Sequence, residues 1–186
     1  MTYSAPMTDA QPIRLEPLTP DPHPELLAAA RALLGEYRDY ARSAAGAGFG
    51  MVRLEREIAE LPASHLSPGS SLLIAWVGDQ PAGCLVIRPL PEVLPERASE
   101  LKRLWVREAA RGRGVAETLV AAAIARARTL DHDALYLDTE PERMPAAVRL
   151  YRRLGFVDCP LYKPSDAGVA AFRLALAGRY STASTR

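Results

Sequence analysis

Apolar and polar positions alternate along Pro12–Leu18, where Ile13-Arg14-Leu15 gives the period of two expected of a first strand. The turn cluster Thr19-Pro-Asp-Pro-His-Pro24 follows. Leu26, Leu27, Ala30, Leu33, Leu34, Tyr37 and Ala41 then recur at helical spacing and predict a helix from about Glu25 to Ser43. Gly46-Ala-Gly48-Phe-Gly50 breaks it. Met51, Leu54, Ile58 and Leu61 mark a second helix, stopped at Pro62. Leu72–Val77 and Ala82–Arg88 read as strands joined by the turn Gly78-Asp79-Gln80-Pro81. A proline-rich loop, 89–96, leads into a central strand, Ala98–Val106. Leu119, Val120, Ala123, Ile124 and Ala127 line one face of a third helix. A strand over Ala134–Thr139 and a helix that starts at Pro145 and stops at Gly155 come next. A last strand spans about Val169–Leu176. A hairpin series followed by strand–helix–strand predicts an α/β (α+β) domain, with a mixed sheet and helices on its faces.

The 186 residues suit one domain, set at 11–178, with a flexible lead at 1–10 and a flexible tail at 179–186. A net charge of +1 gives no global drive toward nucleic acid or an anionic membrane. No apolar run approaches a membrane span, and Met1–Gln11 lacks the apolar core of a secretory signal, so a cytoplasmic protein is expected. Cys84 and Cys159 lack metal spacing and His23, His65 and His132 do not cluster, so no metal site is expected.

Local charge changes the picture at one place. Between the strand end Leu104-Trp105-Val106 and the third helix lies Arg111-Gly-Arg-Gly114-Val-Ala116. Glycines leave the backbone open to a close ligand, and the first turn of a helix offers unpaired N–H groups. Arg111 and Arg113 add guanidinium forks that match phosphate oxygens. A diphosphate is the natural guest. Gly112-x-Gly114-x-x-Glu117 also invites comparison with a dinucleotide fingerprint, but Glu117 stands where close packing needs a small residue. A P-loop is excluded, because no Gly-Lys-Ser/Thr follows.

Arg111-x-x-Gly114-x-Ala116 resembles the Gln/Arg-x-x-Gly-x-Gly/Ala pattern of the GCN5-related N-acetyltransferases (GNAT). Ala147-x-x-Leu150-Tyr151-x-x-Leu154-Gly155-Phe156 is similar to a second signature of that family, in the family's order and at about its spacing. The resemblance spans roughly residues 70–176 and implies a mostly antiparallel central sheet with a splayed strand pair that admits acyl-CoA. It implies acetyl-CoA as acyl donor, held by Arg111, Gly112, Arg113, Gly114, Val115 and Ala116 and by the strand end Leu104, Trp105 and Val106. Trp105 serves either as a wall of the cofactor site or as core. Many members carry Asn where this chain has Met144, so contact there is expected to be apolar.

The implied activity is direct transfer of acetyl to a primary amine, on a small molecule or a protein. Tyr151 is the expected acid for the leaving thiolate. Glu100 is the candidate base, acting directly or through water; it serves equally well as an ion-pair partner of Lys102 or Arg103. Strand alternation puts Glu100 on one face with Lys102 and Leu104. Asp138 and Thr139 end the neighbouring strand and offer themselves to the acceptor. The acceptor pocket is expected from 20–65, 89–97 and 158–168. A non-catalytic acyl-CoA-binding sensor or partner module is the alternative, and a homodimer is compatible with either.

Overall fold

The computed structural model describes residues 11–45, 49–90 and 96–176. The expected lead at 1–10, the tail at 179–186, residues 46–48 of the glycine break and residues 91–95 of the proline-rich loop lie outside the described residues.

Seven strands form one sheet: β1 (Ile13–Pro17), β2 (Ser71–Val77), β3 (Gln80–Pro89), β4 (Ala98–Val106), β5 (Ala134–Thr139), β6 (Val157–Cys159) and β7 (Ala170–Ala175). The order across the sheet is β1-β2-β3-β4-β5-β7-β6. Every pairing is antiparallel except β4 with β5. The helices are α1 (Pro24–Ala45), α2 (Phe49–Ala59), α3 (Val115–Thr129) and α4 (Pro145–Arg153). The expected mixed, mostly antiparallel sheet is therefore present. The added strand, β6, has three residues, two of them exposed. Its alternation is too short to show in the sequence.

The two faces bury separate cores. On one, Leu26, Ala30, Leu33 and Leu34 of α1 pack on Leu72, Ile74 and Trp76 of β2 and Cys84 and Val86 of β3. On the other, Leu119, Val120, Ala123 and Ala127 of α3 and Val148 and Tyr151 of α4 pack on Leu85, Ile87, Leu101, Leu135, Leu137 and Phe172. The period of two in the strands and of 3.6 in the helices assigns these faces. Gly78 takes φ +57° at the first central position of the β2–β3 turn, as a Gly-X hairpin demands.

The alternation of β4 does not run through. Cys84 pairs with Trp105 while Val86 pairs with Lys102, so β4 carries a bulge opposite Leu85. Arg103 sits in it with φ +57°. The expectation that Glu100, Lys102 and Leu104 share a face is corrected here. Leu104 joins Leu101 and Val106 on the α3 side, and Trp105 packs on the α1 side. One extra residue in a strand exchanges the faces of everything beyond it.

Candidate active site

β4 and β5 pair only over Ala98–Ala134, Ser99–Leu135 and Glu100–Tyr136. β4 then continues six residues further, to Val106, with no strand partner on that side among the described residues. The bulge at Arg103 bends β4 away, and the two strands splay. The gap opens into a cleft of about 600 Å³ that takes in Leu101, Lys102 and Arg103 of β4 and Asp138 and Thr139 of β5. Met144 also borders it and accepts the Thr139 hydroxyl on Sδ at 3.4 Å.

At one end of the splay, β4 runs into the glycine loop. Gly112 and Gly114 have φ +73° and +82°, where an L side chain is strained. A Cβ on Gly112 would meet nothing within 4 Å, and one on Gly114 only Ile13 Cδ1 at 4.0 Å. Their need for glycine is thus conformational, and the space above them is open. Gly114 caps α3, so the first N–H groups of α3 face that space. Val115 is buried in the core and can offer a ligand only its backbone, while Ala116 is half-exposed. Arg111 and Arg113 are exposed. Arg111 is held by its Nε bond to the Val106 carbonyl at 3.2 Å and by stacking on Trp105 at 5.5 Å. Trp105 itself donates from Nε1 to Glu36 at 3.1 Å and packs on Tyr40, so its ring braces α1. An open, cationic helix start beside a splayed strand fits a diphosphate with an extended arm.

Tyr151 lies on α4 in the α3-side core, 5.7 Å from the Phe156 ring and 6.5 Å from that of Phe172, and is not among the residues that line the cleft. Burial, with Tyr37 and Asp138 nearby, pushes its phenol above the ordinary range. It stays protonated at any physiological pH.

Glu100 is fully buried at the root of the splay. Arg88 Nε and Nη2 donate to its Oε2 at 2.9 and 2.7 Å. Tyr162 donates to Oε1 at 2.8 Å, and Lys163 donates to the same oxygen. Lys102 Nζ lies 3.5 Å away. Burial alone would raise this carboxyl; Lys102, Lys163 and Arg88 outweigh it and hold it at about 2. The ion-pair partners are thus Arg88, Lys163 and Lys102. Arg103 turns instead to Glu57 of α2, at 3.2 Å.

Lys102 holds its proton weakly. Burial depresses its ammonium to about 8, against the pull of Glu100 and Asp138, whose nearest oxygens are at 3.5 and 3.6 Å. Lys163 donates to Asp138 at 2.9 Å and tethers the segment after β6 to the cleft. Sequence reasoning placed 158–168 near the acceptor but passed over Arg88, Tyr162 and Lys163. They converge on Glu100 from β3 and from an irregular segment, and spacing carries no sign of that.

Among curated proteins, none matches the chain. Solved structures do. An acetyltransferase of the GNAT family from Staphylococcus aureus Mu50 superposes with a TM-score of 0.68 at 15% identity, covering 89% of this chain and 99% of its own. The yncA structure of Salmonella typhimurium, which holds its cofactor acetyl-CoA, gives 0.64 at 18% identity, covering 91% and 96%. A ribosomal-protein-alanine N-acetyltransferase from Brucella melitensis gives 0.65 at 23% identity, covering 88% and 99%. At these identities the likeness speaks for the fold alone. The family model of the GNAT acetyltransferases matches residues 30–156, from the middle of α1 through the Gly155-Phe156 stop of α4, so both signatures read in the sequence fall inside it and the chain belongs to the acetyltransferase (GNAT) family.

Proposed function

We propose that the chain is an acetyl-CoA-dependent N-acetyltransferase that moves acetyl directly onto a primary amine. The observation that carries this reading is the parting of β4 from β5 after Glu100, next to a glycine loop that opens α3. That pair of features provides both an anion seat and a slot for an extended thiol arm.

Acetyl-CoA supplies the thioester carbonyl and the leaving sulfur. Gly112–Ala116 and the guanidiniums of Arg111 and Arg113 hold the diphosphate end. The free edge of β4 over Leu104–Val106 lends its backbone to the arm, and Met144 gives apolar contact. A backbone N–H on that edge would donate to the thioester oxygen; one preorganised donor is worth about 3–4 kcal/mol in the transition state. The acceptor nitrogen bonds to the acetyl carbon as the carbon–sulfur bond breaks. Tyr151 gives its proton to the departing thiolate. The nitrogen loses a proton, and Lys102, with its ammonium lowered to about 8, is suited to take it in its neutral form near physiological pH. Glu100, the candidate base, is so acidic that its place in the reaction is better read as anchoring Lys102, Arg88 and Lys163 at the splay.

Thiol release from acetyl-CoA over a panel of amines tests the reading. Acceptor-dependent release, with the acetylated amine found by mass spectrometry, is the expected result. Tight CoA binding without turnover on any amine would favour a non-catalytic acyl-CoA-binding module.

A further inference from the structure

Lysine and arginine together make up 23 residues, and among them only Lys102 and Lys163 are lysines. Both line the cleft. An arginine-rich chain accounts for the scarcity of lysine but not for both lysines standing at one site. Arginine is present there too, as Arg53, Arg88 and Arg103. The difference is chemical. A guanidinium stays protonated in proteins, whereas a lysine that sheds its proton becomes a nucleophilic amine.

The two lysines are held differently. Lys163, from the segment after β6, donates to Glu100 and, at 2.9 Å, to Asp138 of β5. Burial alone would lower its ammonium, but those bonds outweigh it and hold the proton more tightly than usual. Lys102 has the same two carboxylates at 3.5 and 3.6 Å, longer than an ordinary N–H···O bond. Arg88 of β3 and Lys163 take the short bonds to Glu100. Arg53 of α2 and Arg103 of β4 add further positive charge to the same cleft. Burial, and then Lys163, lower the Lys102 ammonium to about 8 against the pull of Glu100 and Asp138. At pH 8 about half of Lys102 is the free amine, against roughly one part in 300 for a lysine at its ordinary 10.5.

Lys102 also stands where the acetyl group would arrive. With the diphosphate on the loop that opens α3, the thiol arm runs back along the free edge of β4, past Val106 and Leu104. Its thioester end then comes to the root of the splay. Lys102 lies there, two residues before Leu104 and beside the bulge at Arg103. Its side chain lines the cleft and keeps 19% of its surface open.

We infer that, when no acceptor fills the cleft, Lys102 takes the acetyl group from the acetyl-CoA bound in its own chain, which makes it a self-acetylation site. This rests on the acetyl-CoA seat proposed above. The neutral Nζ attacks the thioester carbonyl carbon, and the carbon–nitrogen bond forms as the carbon–sulfur bond breaks. One hydrogen leaves the nitrogen as a proton, and the departing sulfur takes up a proton. The products are Nε-acetyl-lysine and the free thiol of CoA. The amide nitrogen has no basic lone pair, so the modification also removes the proton acceptor assigned above.

Incubating the protein with acetyl-CoA and no amine at pH 8 tests it, read by intact mass and peptide mapping. One acetyl group per chain is expected on Lys102, at a rate at least about tenfold that of Lys163, with equal labelling of the two in urea as the reference. The rate per chain is expected to be unchanged on dilution of the protein. Excess CoA, which fills the seat without an acetyl group, is expected to suppress the labelling. Lys102→Arg keeps the positive charge beside Glu100 and Asp138 and is expected to stay unlabelled. Equal rates for Lys102 and Lys163 in the folded protein overturn the inference, as does labelling that excess CoA leaves untouched or that slows per chain on dilution. No label at all also overturns it, and calorimetric titration with CoA then shows what else falls: heat leaves the donor seat and the transferase reading standing, and absence of heat removes both.

Discussion

Replacing Glu100 with Gln separates two ways of handling the acceptor's proton. The substitution keeps shape and hydrogen bonding but removes the negative charge that faces Arg88, Lys102 and Lys163. The carboxyl lies at about 2 against an ordinary 4.5. At about 1.4 kcal/mol for each tenfold change in proton affinity, that gap corresponds to about 3 kcal/mol of stability. The sign follows from the depressed value. The contribution is fully present above about pH 4.5 and is lost as pH falls toward about 2. Three cations left around a neutral amide point to a loss of the same size, since breaking a buried pair costs about 3–5 kcal/mol. For a chain of this length about 3 kcal/mol lowers Tm by about 6–12 °C. Glu100→Gln is therefore expected to unfold earlier at pH 7, and its stability should vary less with pH between 2 and 4.5 than the parent's. The kinetic half is more discriminating. Glu100 props up the Lys102 ammonium, so its removal lowers that group further below about 8. The rising limb of kcat/KM should then move to lower pH. A Glu100 base predicts the opposite, with activity lost at neutral pH and recovered as free amine accumulates on the alkaline side. Denaturant melts from pH 2 to 7 and a pH–rate profile on the folded variant suffice. Unchanged stability refutes the ion-cluster account, and an alkaline recovery returns Glu100 to the role of base.

Tyr151→Phe should lower kcat by about 10²–10⁴-fold while leaving the acetyl-CoA KM nearly unchanged; full turnover, checked before the steady state so that product release does not mask chemistry, would reduce Tyr151 to a packing residue. Gly114→Ala should cost about 1–2 kcal/mol of stability, because Gly114 holds φ +82°, and should weaken CoA binding in a calorimetric titration, with unchanged affinity contradicting the assigned loop. In the parent, kcat/KM should rise through about pH 8 as the Lys102 ammonium gives up its proton. Lys102→Met should remove that limb and leave only the rise from the acceptor's own free amine, and a limb that persists in the variant belongs to another group.

The sequence by itself determined the elements and showed the glycine loop that opens α3. Period-two and period-3.6 patterns are local properties of the chain, and among the described residues they located six of the seven strands and all four helices to within a few residues. The glycine loop was legible for the same reason: Gly112 and Gly114 answer to backbone angles set within a few residues, and Arg111 and Arg113 sit in the same turn. What only the tertiary structure decided lies where chain neighbours stop being spatial neighbours. The bulge at Arg103 depends on how β3 and β4 register, and it moved Leu104 to the other face and turned Trp105 toward Glu36 and Tyr40. Glu100 was visible as a carboxylate six residues before Val106. Its acidity was not, because Arg88 reaches it from β3 and Lys163 from more than sixty residues along the chain. A side chain's charge is written in its residue type. The strength with which it holds a proton is set by burial and by the charges gathered around it, and those are assembled only when the strands pair and the segment after β6 folds back over the cleft.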